Sequence, residues 1–141
     1  MIKSKGAIKF TLSLGLVLAT FAVSAQTIGL TLSGSQEVPP VTTSASAIAS
    51  VTIGPDGSVS GTITTTGIDG TMAHIHEGAI GQNGPVIVPF VKTGGHFWSA
   101  QPGAKLTDLQ LESFKNGNLY VNVHSAANKG GEIRAQLKPP Y

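Results

Sequence analysis

Leu119-Tyr120-Val121-Asn122-Val123-His124 alternates without a break, with Leu119, Val121 and Val123 apolar and Tyr120, Asn122 and His124 polar. Successive side chains on a strand point to opposite faces, so this stretch reads as a strand with one apolar face turned to a core. Glu132-Ile133-Arg134-Ala135-Gln136-Leu137 repeats the pattern, with Ile133, Ala135 and Leu137 on the apolar side. Ser125 to Gly131, which contains Asn and Gly, joins the two. Paired, these strands bring His124 close to Glu132 or Arg134 on one polar face.

The same period runs through most of the chain. Ile28, Leu30 and Leu32 form a short strand, and Gly34 to Pro40 breaks it. Ala45, Ala47, Ala49, Val51 and Ile53 alternate mainly with Ser and Thr, and only Ile48 disturbs the period. Gly54-Pro55-Asp56-Gly57 is a turn, and Val59 to Thr64 returns as the second strand of a hairpin. Met72 to His76 alternates; Val86 to Val91 is an apolar run with Pro89 inside, as at an edge or a bulge. Thr93 to Ala104, with its Gly94-Gly95 pair, reads as loop, and Phe97 and Trp98 within it as a cover for apolar surface. A helix is expected from Thr107, a capping residue with Gln110 three positions on, to about Lys115 before Asn116-Gly117. The expected fold is all-β: a Greek-key β-sandwich or barrel of about seven strands with one short helix.

The first 25 residues have a different character. Lys3, Lys5 and Lys9 precede the apolar run Phe10 to Val23, and Val23-Ser24-Ala25 has the small residues of a cleavage site. We expect a signal peptide over residues 1–25 and a single exported domain over 26–141, periplasmic or secreted, with no membrane span after cleavage. Loss of the three lysines turns the formal charge of +2 into −1, six basic residues against seven acidic. No basic patch then remains for nucleic acid. Charged residues are 11% of a 141-residue chain that is 40% hydrophobic, which suits a β-rich exported domain and argues against disorder.

The chain has no cysteine, which excludes disulfides, thiolate metal sites and blue copper. It has no G-x-S-x-G, and Gly78 to Gly84 lacks the Gly-Lys-Ser/Thr of a phosphate loop. Ser125 follows His124 directly, so the two point to opposite faces and make a poor nucleophile–base pair. Four histidines remain. His74 and His76 share a face with Met72, about 6.5–7 Å apart at Cα, while Ala73 and Ile75 face inward. Two such imidazoles can converge on one ion, and His124 is polar-face in the same sense. The candidate ligand set is His74, His76 and His124, with His96 or Met72 as a fourth and copper favoured among imidazole-binding metals. Glu132 and Arg134 are either a surface ion pair or groups that orient His124. No residue is assigned a catalytic role.

Five segments together resemble the CHRD domain, the module named after chordin: Gly34 to Pro40, Ala73 to Gly78, Asn83 to Val86, Leu119 to His124 and Gly131 to Arg134. Ala135 stands where that family usually has Gly. The resemblance runs from about Leu30 to Leu137 and implies an extracytoplasmic β domain; in chordin the module occurs in a secreted antagonist of signalling ligands. The chain is more weakly similar to copper–zinc superoxide dismutase, a Greek-key β-sandwich with a His-x-His strand and a late His, which His74, His76 and His124 match. It lacks the dismutase's cysteine pair and its zinc loop with an Asp ligand, so a copper-only site is what that similarity implies. Two functions follow as expectations: an exported metal-binding protein, or a non-catalytic extracellular interaction module that meets a protein partner through the Gly78 to Gly84 and Thr93 to Ala104 loops.

Overall fold

A computed structural model of the chain describes residues 23–140. The expected signal peptide lies almost wholly outside them. Among the described residues there are eight strands: β1 (Gln26–Ser33), β2 (Ser46–Ile53), β3 (Val59–Thr66), β4 (Gly70–Glu77), β5 (Val86–Lys92), β6 (Phe97–Ala100), β7 (Leu119–Ser125) and β8 (Ile133–Leu137). One helix, α1 (Asp108–Lys115), links β6 to β7. The strands close into an antiparallel barrel in the order β1-β2-β3-β6-β5-β4-β7-β8. The connections β3 to β4 and β6 to β7 leave nearest-neighbour order, which makes the topology a Greek key. The seam that closes the barrel joins β1 to β8 at Ser33↔Arg134.

The period-two reading holds strand by strand. β1 pairs β2 from Gln26↔Ile53 to Ser33↔Ser46, and β2 pairs β3 through the turn at Gly54 to Gly57. Gly57 has a φ of +83° and its N–H donates to the Gly54 carbonyl at 2.9 Å, a conformation that favours glycine. Leu32, Val51, Ile63, Ile75, Val121, Val123, Ile133 and Leu137 fill the interior. Ile48, the residue out of period, points outward and is 72% exposed. Thr107 caps α1, with the Gln110 N–H donating to its hydroxyl at 3.2 Å and the Gln110 side chain accepting from the Thr107 N–H at 2.9 Å.

Two expectations need correction. The Thr93 to Ala104 stretch is not all loop. Phe97–Ala100 is a strand that bridges β3 and β5 and completes the barrel as its eighth strand. A four-residue strand is too short to show a period. Its Trp98 is buried in the core, whereas Phe97 is 57% exposed.

The second correction concerns the polar face of β7 and β8, which is also covered. All seven residues of β7 are buried. Segments 34–45, 78–85 and 126–132 fold over this outer face. Asn83 donates to the Val38 carbonyl at 2.7 Å, Gln136 to the Gly78 carbonyl at 2.8 Å, and Thr43 to Glu132 at 2.7 Å. A strand with the core on one side and loops on the other keeps an alternating sequence, because the loop side is filled with hydrogen-bonding groups.

Candidate metal centre

β4 and β7 pair antiparallel with Met72↔His124, His74↔Asn122 and His76↔Tyr120. One outer face therefore carries Met72, His74 and His76 beside His124, Asn122 and Tyr120. β4 is irregular twice near this stretch: its register shifts against β7 between Gly70 and Met72, and against β5 between Ile75 and His76. Such bulges re-aim side chains next to functional sites.

The three histidines meet. One ring nitrogen from each of His74, His76 and His124 lies within 4.8 Å of the other two. The shortest pair is His74 Nδ1 to His124 Nε2, at 3.1 Å. Nitrogens bound tetrahedrally at about 2.0–2.1 Å from one ion are about 3.3 Å apart. One pair is already close to that spacing, and no pair needs to close by more than about 1.5 Å. These three residues could hold a metal ion.

Hydrogen bonds assign each ring its tautomer. A carbonyl only accepts, so His76 Nδ1–H donates to the Gly84 carbonyl at 2.9 Å and His124 Nδ1–H donates to the Lys129 carbonyl at 2.8 Å. Both rings then present an Nε2 lone pair, and His74 Nδ1–H donates to that of His124. Anchoring the far nitrogen to a carbonyl is how metal-ligating imidazoles are held in one tautomer and orientation. His76 Nε2 is buried without a hydrogen-bond partner, a lone pair for which a cation is a suitable occupant.

Burial keeps His74 and His76 in their neutral forms. Burial pushes His74 down to about 4, helped by the proximity of His124 and then His76. Burial also lowers His76, against the Gly84 carbonyl, which favours its protonated form. Neutral imidazole is the metal-binding form.

Around this cluster the polar face is stacked and tied. The Tyr120 ring lies parallel to His76, 6° between planes and 4.7 Å between centroids. The Arg134 guanidinium sits 3.5 Å over Tyr120. Arg134, 1% exposed, donates to the Ala79 carbonyl and to the side chains of Asn83 and Gln136. Tyr120 accepts from the Gly84 N–H at 3.1 Å. Gly84, which receives His76, is thus itself held from below.

The other candidates lie elsewhere or do other things. His96 is exposed in the β5–β6 turn, away from the cluster, where its carbonyl accepts from Thr65. Met72 shares the outer face and is 48% exposed beside His124 in the ladder. Glu132 engages Thr43, and Arg134 lies over the Tyr120 ring that stacks on His76. Among the described residues no hydrogen bond joins Glu132 or Arg134 to a histidine, nor do the two pair with each other. The carbonyls of Gly84 and Lys129 orient the rings instead. Backbone acceptors carry no residue-type signal, so alternation could not reveal them. Glu37 and Asn122, both buried beside this cluster, were equally silent, although Asn122 sits between two ligand-face residues of its own strand.

The chain is thus an all-β Greek-key barrel with three histidines gathered on the covered outer face of two adjacent strands. The CHRD domain model matches residues 28–137, nearly the whole described chain, and the protein belongs to that family. No curated protein and no solved structure matches it.

Proposed function

We propose that this is an exported CHRD-domain protein that binds a copper ion through His74, His76 and His124, in the periplasm or outside the cell. The observation that carries the reading is the pair of carbonyl anchors, Gly84 on His76 and Lys129 on His124, which put the lone pair of each ring on Nε2, that of His124 facing His74 Nδ1. Surface histidines that merely solvate need no such arrangement. An all-imidazole donor set follows the Irving–Williams order, so Cu(II) outcompetes Zn(II) and Ni(II) at equal concentration. On binding, His74 changes tautomer: its Nδ1 proton leaves to solvent and Nε2 takes one proton from solvent, so the ring stays neutral. Export rests on the signal-like segment preceding Gln26, and no helix among the described residues is long and apolar enough to cross a membrane.

The test is metal analysis of untagged protein recovered from the export compartment, followed by Cu(II) titration of chelator-stripped wild type, His124→Ala and His96→Ala. Stoichiometric copper lost in His124→Ala and kept in His96→Ala supports the site. Wild-type affinity in His124→Ala overturns it and leaves the extracellular interaction module as the better reading. Intact mass tests export: a mature chain begins at Gln26.

A further inference from the structure

Asn122 is 1% exposed and lies opposite His74 in the β4–β7 ladder, two residues before His124 on the same face. Its side chain has two ends. The amide donates toward Glu37, whose carboxyl is buried at the start of the 34–45 covering segment. The carbonyl oxygen Oδ1 is the end turned to His76, toward which it acts as an acceptor. His76 has already committed its Nδ1–H to Gly84, so the nitrogen that meets Oδ1 is Nε2 with its lone pair. Both atoms, Asn122 Oδ1 and His76 Nε2, are buried and neither has a hydrogen-bond partner. Two acceptors without a donor between them are unfavourable in a dry site. A cation bound to both reconciles them.

We propose that Asn122 Oδ1 is the fourth ligand of the metal centre, making the donor set three imidazole nitrogens and one amide oxygen, and that Glu37 is the positioning residue that holds this amide with its oxygen toward the ion. The inference rests on the three-histidine reading and adds the buried wall of the pocket to it. Gly131 makes the arrangement sterically feasible. A Cβ there would lie 2.5 Å from both Asn122 Nδ2 and Glu37 Oε1, so only glycine lets the loop close over this pair. An amide oxygen is a harder donor than imidazole or thioether, and it disfavours Cu(I) relative to Cu(II). The site then suits retention of Cu(II) better than cycling between the two states.

The experiment is Cu(II) titration and electron paramagnetic resonance of chelator-stripped, full-length protein bearing Asn122→Ala, Asn122→Asp, Glu37→Leu or Glu37→Gln, with folding of each apo form checked by circular dichroism. Asn122→Ala is expected to weaken Cu(II) binding about ten- to hundredfold and to gain exchangeable-proton couplings from water in the vacated position. Asn122→Asp keeps an oxygen there, so it retains binding and shifts the g values as a carboxylate replaces an amide. Glu37→Leu weakens binding, and Glu37→Gln, which still accepts from the amide, restores it. Folded Asn122→Ala with wild-type affinity and no new water coupling overturns the assignment. If Asn122→Ala does not fold, an Asn122→Asp spectrum identical to wild type overturns it equally. Failure of wild type itself to bind Cu(II) overturns the histidine site and this inference together. Loss of binding in His124→Ala but not in folded Asn122→Ala overturns only this one.

Discussion

His74 Nδ1 and His124 Nε2 stand 3.1 Å apart across the β4–β7 ladder, although 50 residues separate them in the chain. The contact requires that one nitrogen carry a proton and the other a lone pair. Two imidazolium rings at that distance would place like charges together, which is one reason that His74 titrates so low. The same closeness that disfavours two protons suits one metal ion.

Proton competition follows from these shifts. Three ordinary imidazoles at pH 5.5 would together weaken metal binding about a thousandfold relative to pH 7.5, from a reference pKa of about 6.5. His74 is held near 4 and His76 is also lowered, so they contribute little of that loss. Cu(II) affinity measured at pH 7.5 and 5.5 should therefore differ by well under a hundredfold. A thousandfold fall would mean that the rings are open to water like a surface chelate.

Glu37 makes the opposite contribution to folding stability. Burial raises its carboxyl to about 7, against the pull of Arg134 and then of Asn122. The folded state holds this proton and the unfolded state releases it near the ordinary value. Stability from Glu37 is thus present at low pH and lost as pH rises through about 7. The lowered His74 works in reverse, with stability present above about 6.5 and lost as pH falls through about 4. In the metal-free wild type the two slopes partly cancel between pH 5 and 7. Glu37→Gln removes one, so its Tm should gain on wild type as pH rises from 5 to 8. Parallel Tm profiles would show that Glu37 is ionised in the fold.

Gly84 joins strand geometry to the site. Its carbonyl receives His76, its N–H meets Tyr120, and a Cβ on it would collide with the Glu77 carbonyl. Gly84→Ala must move the 78–85 segment off β4, releasing the His76 ring. We expect Cu(II) affinity to fall about ten- to hundredfold, the usual cost of losing a group that orients a ligand. Gly81→Ala, by contrast, meets nothing within 4 Å at its Cβ, although its φ of +77° adds backbone strain. It should lower Tm with little change in affinity, which separates distortion of the segment from loss of the His76 anchor.

Strand parity has its own control on β2. Val51 is fully buried and Ile48 is 72% exposed, three residues apart on one strand. Val51→Asp should cost several kcal/mol, because an unpaired carboxylate is forced into the barrel interior. Ile48→Asp should stay within about 0.5 kcal/mol of wild type. Chemical denaturation of both variants measures the difference, and similar midpoints would place the faces of β2 wrongly.

Alternation in β2, β4, β7 and β8 was legible because one side of each strand meets an apolar interior, and a period of two records that directly. The helix was legible because capping is local, with Thr107 and Gln110 only three residues apart. His74 and His76 were visible as a pair for the same reason, and His124 by its parity. What the chain did not disclose locally is β6, whose four residues pair with β3 and β5 only once the barrel closes. It did not disclose that the polar face is buried, since a polar residue under a hydrogen-bonding loop looks the same in sequence as one in water. The Gly84 and Lys129 carbonyls, and the Glu37–Asn122 pair, come from segments far from the histidines they serve. Sequence by itself determined which side chains share a face, because that depends on neighbours two residues apart. Tertiary structure alone decided which of those faces meet, how dry they are, and which lone pairs are left without a partner, because those depend on backbone groups brought together by chain closure.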